Sequence, residues 1–339
     1  MSQTIQHRGD TAANWTAANP VLAQREMGIE TDTMLYKFGN GVTAWNSLPY
    51  MQLTGEFASA ILMDAVANPT APAAGKMLLY AHSVAGRIVP KFIGPSGLDN
   101  IVQSELAANS VQMASPGLTT ALTYIGMGAL NIVGTNTTPA ITTGTNLRSS
   151  MRRVTVTSAA TANSASEIRN AIAMCYRGEV FGDAKAGGFY FKTRWGMSTA
   201  TALQRTAVGL WPGLTATGVT QNPSALTSCI FAGSDSADAN LQIMHNDGAG
   251  TCTKIDLGAG FPAVNVNAVY ELALFSAPNA NEVGWRVVRI DTGAVASGVI
   301  TTDMPTKTTL LTYHAYANNG GTAAAVVLEF MRMYLETDY

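Results

Sequence analysis

The sequence predicts a mainly β protein: a small N-terminal hairpin module, a β-hairpin and extended shaft segment, and a C-terminal antiparallel β-sandwich or jelly roll, assembled as a trimer. Three observations carry this expectation. Short runs of β-branched and aromatic residues recur at near-regular spacing, divided by Gly, Asn, Asp and Pro. No alternation of strand and helix patterns accompanies them, which argues against a parallel sheet. Charged residues make up only 12% of the 339 residues, against roughly 25% in an ordinary soluble protein. The surface is therefore neutral and rich in hydroxyls and amides, or is covered by other subunits.

Residues 1–52 read as the first unit. Met27–Glu30 and 35–38 are strand candidates around the Thr31-Asp32-Thr33 turn, and Asn40-Gly41 signals a turn ahead of Val42-Thr43-Ala44-Trp45, so hairpins are expected. Trp15, Trp45 and Tyr50 are read as its small core, because aromatic rings carry most of the burial where residues are few.

Residues 53–145 read as a linker and shaft. The stretch 68–75, NPTAPAAG, cannot be helical and is an extended linker. After it, 76–83 and 87–93 form a hairpin across Val84-Ala85-Gly86, closed by a Gly94-Pro95-Ser96-Gly97 turn. A lone hairpin is marginal in water, so sibling hairpins of neighbouring subunits are expected to complete it. Residues 117–145, rich in Thr, Gly and Asn, read as short strands or intertwined chain.

Residues 146–339 read as the sandwich. Strand-like runs lie at 153–157, 188–195, 206–211, 226–232, 241–245, 269–275, 283–290, 310–317 and 325–335, the last a closing strand through Phe330, Tyr334 and Leu335. One helix start is indicated, by the capping box Ser164-x-x-Glu167 ahead of Ile168, Ile172 and Ala173. Trp195 and Trp285 lie inside strand patterns and are expected in the core.

A net charge of −2 and a pI near 6.1 give no footprint for nucleic acid or an anionic membrane. No stretch reaches the ~20 apolar residues of a membrane span; residues 57–67 are short and broken by Asp64. The start, MSQTIQHRGD, lacks the apolar core of a signal peptide, so a soluble protein assembled in the cytoplasm is expected. Cys175, Cys229 and Cys252, widely spaced and without a CxxC, read as buried free thiols.

No catalytic residue, metal or cofactor is expected. Asp235, Asp238, Asp247 and Asp256 stand beside Gly and Asn and read as turn-formers rather than a glycosidase pair. No GxSxG elbow occurs, and His7, His82, His245 and His314 are scattered outside any HExxH pattern. Asp235-Ser236-Ala237-Asp238 and Asn246-Asp247-Gly248 are rich in oxygen but lack the regular calcium loop.

A binding surface for sugar needs an exposed ring with polar neighbours. Trp211 at a strand-to-loop transition is one candidate, with a core Trp as the alternative. Tyr313, His314, Tyr316 and Asn318 form the other; Tyr313 and Tyr316 have opposite parity, so one ring is expected to be exposed or at a subunit interface. The loop residues Asp235, Asp238, His245 and Asp247 complete the candidate receptor-binding set.

The segment 19–50, NPVLAQREMGIETDTMLYKFGNGVTAWNSLPY, resembles the short N-terminal module of phage tail fibres and tropism determinants. Gly28, Glu30, Thr31, Asp32, Thr33, Gly39, Gly41, Thr43, Trp45, Asn46, Leu48, Pro49 and Tyr50 fall where that pattern wants them. The departures are Met34, where a turn glycine is common, and Asn40, where Asp is usual. Residues 76–103 look like a segment that follows such modules. The resemblance implies a homotrimeric virion fibre that is bound to other tail or baseplate proteins by its N-terminal part, with Trp15, Glu30, Asp32, Trp45 and Tyr50 as attachment candidates. It implies a C-terminal head, similar in its general pattern to the lectin-like sandwiches of phage fibres, that meets a bacterial surface polysaccharide or protein receptor. A virion structural or capsid-decorating fibre without receptor binding is the rival reading, and a polysaccharide depolymerase the third.

Overall fold

The computed structural model describes residues 7–51, 62–94, 99–101, 110–117, 122–178, 187–218 and 221–337. Residues 95–97 of the Gly94–Gly97 turn, and residues 57–61 of the 57–67 stretch, lie outside them. The chain divides into two units, Met1–Leu62 and Met63–Tyr339.

In the first unit, β1 (Arg8–Asp10) runs parallel to β2 (Met27–Glu30), which pairs antiparallel with β3 (Tyr36–Phe38). Between β1 and β2 lies α1 (Ala12–Ala18), an element that the sequence reading passed over. Its signals were present. Thr11 Oγ1 accepts from the Asn14 amide at the N-cap, and Asn19 closes the helix at φ 41°. Where a strand was expected after Asn40-Gly41, the chain turns instead into a 3-10 helix, Trp45–Ser47. That turn swings Trp45 inward, where it stacks on Trp15 with centroids 4.1 Å apart, over Leu22. A Cβ at Gly28 would stand 2.6 Å from Trp45 Cζ3, so this position has room only for glycine.

The second unit begins with β4 (Leu78–Val84) and β5 (Arg87–Ile93), joined through Ala85 and Gly86, both at positive φ, as a tight hairpin requires. The short β6 (Asp99–Ile101) pairs with β5. This hairpin finds its partner surface within its own chain: Val84, Ala85 and Val89 pack against Tyr190 and Ala273 of the sandwich. The expectation that neighbouring subunits complete it is thereby corrected, because an apolar face on the sandwich already covers it.

The strands that follow are β7 (Ser110–Pro116), β8 (Leu122–Ile125), β9 (Asn131–Val133), β10 (Thr135–Thr137), β11 (Val154–Thr157), β12 (Ala165–Arg169), β13 (Phe189–Met197), β14 (Arg205–Trp211), β15 (Cys229–Ser234), β16 (Gln242–Asn246) and β17 (Thr253–Asp256). They end with β18 (Val269–Ser276), β19 (Val283–Arg289), β20 (Ala294–Ile300), β21 (Thr312–Asn318) and β22 (Val327–Thr337). Among the described residues they form two antiparallel sheets. One runs β17-β16-β15-β14-β21-β12-β9, and the other β10-β11-β22-β13-β18-β19-β20, with β7 and β8 added beside β22. The 11-residue β22 pairs with β13 along one edge and with β11 and then β7 along the other. A bulge between Arg194 and Trp195 accommodates its length.

Period-2 alternation sends Val208, Leu210, Ile230, Ile243, Tyr313 and Ala315 from the first sheet, and Phe191, Trp195, Leu272, Leu274, Trp285 and Phe330 from the second, into one core. Burying each large apolar side chain contributes ~1.5–3 kcal/mol. Trp195 and Trp285 are therefore core residues, as expected.

The capping box did not start a helix. Ser164 and Glu167 precede and lie in β12, where Glu167 faces His314 of β21 across the sheet. A long-range buried pair outweighed a weak local signal. The three cysteines are free and buried, but two of them meet: Cys229 Sγ lies 3.3 Å from Cys252 Sγ.

Candidate functional site

The residues singled out for receptor contact fall into two groups, and the first is a buried network on the outer face of the seven-stranded sheet. Alternation along β21 turns Tyr313 into the core between the sheets and His314, Tyr316 and Asn318 outward. Outward is not exposed here. Segments 212–218 and 221–226 lie over this face, and Trp211, His314, Tyr316 and Asn318 are all buried beneath them. The expectation that one of the two tyrosine rings is exposed is thus corrected.

The network is dense. Nδ1 of His314 lies 2.9 Å from Glu167 Oε1, and Trp211 stacks on the imidazole at 4.3 Å. Glu167 also accepts from the Thr217 amide at 3.0 Å and the Thr217 hydroxyl at 2.8 Å, so one carboxylate ties the overlying segment to two strands. Tyr316 donates its hydroxyl proton to the Gly218 carbonyl at 2.8 Å and accepts from the Asn318 amide. Arg205 donates to Asn318 Oδ1 at 3.2 Å and to Asn222 Oδ1 at 2.6 Å. These side chains anchor the covering segments, whose Leu214, Thr215 and Gln221 face solvent.

The second group is the acidic loops. Lys254 Nζ sits between Asp235 and Asp238, at 2.8 and 2.7 Å, filling with an ammonium the place a cation would take. Burial would raise the Asp235 carboxyl, but hydrogen bonds from Lys254 and Ser224 hold it below the usual range. Asp247 and Asp256 accept from the amides of Ala249 and Gly258, two residues on, which makes them turn-formers. His245 is buried, with Nδ1 2.8 Å from the Asp303 carbonyl. Among the described residues no group of three or more His, Cys, Asp or Glu side chains is arranged to hold a metal ion.

In the N-terminal unit, Trp15 and Trp45 are core, and Glu30 is buried, accepting from Tyr50 and Thr33. Lys37 is buried too; its ammonium donates to the Trp45 carbonyl at 2.8 Å and lies 4.1 Å from the Tyr50 ring centroid. Asp32 is exposed and accepts from the amide that opens α1, at 2.9 Å. Of the five attachment candidates Asp32 and Tyr50 are exposed, and beside them the unit exposes Met34, Leu35, Tyr36, Phe38 and Val42.

Sequence reading missed a charged surface on the outer face of the nine-stranded sheet. Pairing places Arg332, Arg194, Glu271, Val288 and Val295 in one cross-strand row. Tyr334, Lys192, Ala273, Arg286 and Ser297 form the next. Glu271 receives Lys192 at 2.8 Å, Arg194 at 2.7 Å and Arg332 at 2.9 Å. Burial alone would raise its carboxyl, but the three cations outweigh this and hold it down at about 2. Beside these rows, Arg87 of the hairpin grips Glu336 with two hydrogen bonds, at 2.6 and 2.7 Å, at the edge of a cavity of about 120 Å³. The legible signal was the alternation Phe191-Lys192-Thr193-Arg194-Trp195, which puts two cations on one face of a strand whose other face is core.

Residues 5–43 match the family described as the major tropism determinant N-terminal domain. The match falls within the first unit and includes Trp15, Glu30 and Asp32, while Trp45 and Tyr50 lie beyond it. No curated protein sequence matches the chain. Among solved structures, a protein of unknown function from Shewanella oneidensis MR-1 is similar at 13% identity, over 70% of this chain and 90% of that one, with a TM-score of 0.44. Peanut lectin with a nine-residue peptide is similar at 10% identity, over 68% and 97%, with a TM-score of 0.44. Lectin I from Ulex europaeus, in complex with the methyl glycoside of α-L-fucose, is similar at 9% identity, over 68% and 98%, with a TM-score of 0.44.

Proposed function

We propose that the chain is a non-enzymatic, virion-borne receptor-binding protein of a bacteriophage, a homotrimeric tail fibre held to the particle by its N-terminal unit and meeting the host surface with its sandwich. The observation that carries this reading is the coincidence of the tropism-determinant match at 5–43 with a unit that has its own core, separate from the sandwich. The exposed Tyr36, Phe38 and Val42 supply an apolar surface suited to attachment, in place of the buried Trp15 and Trp45. Trp211, His314, Tyr316 and Asn318 serve the host-contacting surface from below, by fixing the segments that cover them. Tyr313, inside the core, supports the strand that carries them.

The test has two parts. Deleting residues 1–51 is expected to abolish incorporation into virions, while the purified full chain is expected to bind intact host cells. Retained incorporation refutes the attachment role. A chain that enters virions but leaves host cells untouched is instead a virion structural protein, and release of sugar from purified surface polysaccharide would make it a depolymerase.

A further inference from the structure

Lys192, Arg194, Arg286 and Arg332 share two adjacent rows on the outer face of the nine-stranded sheet, and Glu271 is the one acid in those rows. Three of the four cations already share that carboxylate, at 2.7–2.9 Å. One negative charge cannot neutralise four positive ones, so an excess of three positive charges is concentrated here, in a chain whose net charge is −2. Like charges held this close repel, and central strands of a sheet with a packed core beneath give their backbone no room to spread. An incoming anion relieves that repulsion and is met by groups already in place. Arg332 is half-exposed and within reach of solvent; Lys192, Arg194 and Arg286 are partly so.

We propose that this face binds an anionic glycan through carboxylate, sulfate or phosphate groups carried on its sugars. The proposal rests on the receptor-binding reading and names the ligand class for it. Two guanidinium groups, Arg286 and Arg332, offer the planar forks that pair with such oxyanions, while Arg194 already gives both its Nε and an Nη to Glu271. Tyr334, in the row of Lys192 and partly buried against the hairpin, sets an aromatic ring beside the cations, as recognition of a sugar's apolar face requires. The neighbouring Arg87–Glu336 pair is internally neutral and bounds the patch on that side.

Calorimetric titration of the full chain with polygalacturonate, dextran sulfate and neutral dextran tests this, with host-cell adsorption measured in parallel. Binding of at least one polyanion is expected, weakening as salt screens it, and no binding of neutral dextran. Which polyanion binds separates carboxylate from sulfate-ester recognition. The double variant Arg286→Gln, Arg332→Gln spares two of the three contacts to Glu271 and is expected to bind about tenfold more weakly. Lys76→Gln, an exposed cation outside these rows, is expected to bind as the parent does. Binding of neither polyanion, or equal binding by the double variant, overturns the inference. If adsorption to cells persists in that case, the receptor reading survives without it; if polyanions bind but cells do not, the receptor reading fails and the anionic site stands.

Discussion

Glu271 is held down by Lys192, Arg194 and Arg332 against a burial that would raise it, to about 2 from an ordinary 4.5. A carboxyl depressed in the folded state contributes stability that is fully present above its unfolded value and is lost as pH falls from there through the folded one. The window is therefore pH 4.5 down to 2, and a shift of this size corresponds to on the order of 3 kcal/mol. Glu271→Gln is expected to lower stability at pH 7 by that order and to flatten the loss between those pH values, as read by urea unfolding across pH. At the same scale, Trp211 and Tyr316 are packed against Ala207, Phe231 and Met244 under the covering segments. Truncating either to Ala is expected to cost roughly 3 kcal/mol or more, as for other buried aromatics. Melting and host-cell adsorption measured together check this: a variant with wild-type melting shows that the ring is not core.

At the scale of the element, the β4–β5 hairpin is the piece whose docking decides the shape of the cationic face. Its turn sits on a glycine: a Cβ at Gly284 would stand 1.9 Å from the Ala85 carbonyl oxygen. Gly284→Ala is expected to lift the hairpin from β19 and to destabilise by about 1–3 kcal/mol, the cost of overpacking. Hydrogen exchange should then accelerate in 78–93 well beyond any change in β14 or β21. Equal acceleration everywhere would mean that the hairpin is not a separately docked element. The long β22 has the opposite character, since it joins β7, β11 and β13 and cannot loosen alone.

At the scale of the whole molecule, the chain divides at Leu62, and the described residues of each unit form a core of their own. A chain beginning at Met63 is expected to fold and to melt within a few degrees of the parent's main transition, checked by calorimetry; failure to fold would show that the units depend on one another. Low charge and the exposed Met34, Tyr36, Phe38 and Val42 of the first unit lead to the expectation of a trimer. Light scattering of the full chain at micromolar concentration checks it, and a stable monomer would remove the trimeric fibre from the proposal.

The sequence by itself determined the β architecture and most strand positions, because alternation of apolar and polar residues is a local property that a single strand displays. It also displayed the likeness of the N-terminal module to tropism determinants, matched over 5–43, where close packing at Gly28 leaves room only for glycine. It left α1 unread although Thr11 and Asn19 mark both ends, since seven residues give little periodicity to recognise. What only the tertiary structure decided is which outward-facing residues reach water. Alternation tells the two faces of a strand apart, but His314 and Tyr316 are covered by segments 212–218 and 221–226, while Lys192 and Arg332 are not. Covering depends on loops that are distant in sequence, so Glu167 read as a helix cap until β12 brought it to His314, 147 residues away. The cationic face was hidden for the same reason, because its four members come from β13, β19 and β22 and meet only when those strands take their places around β18.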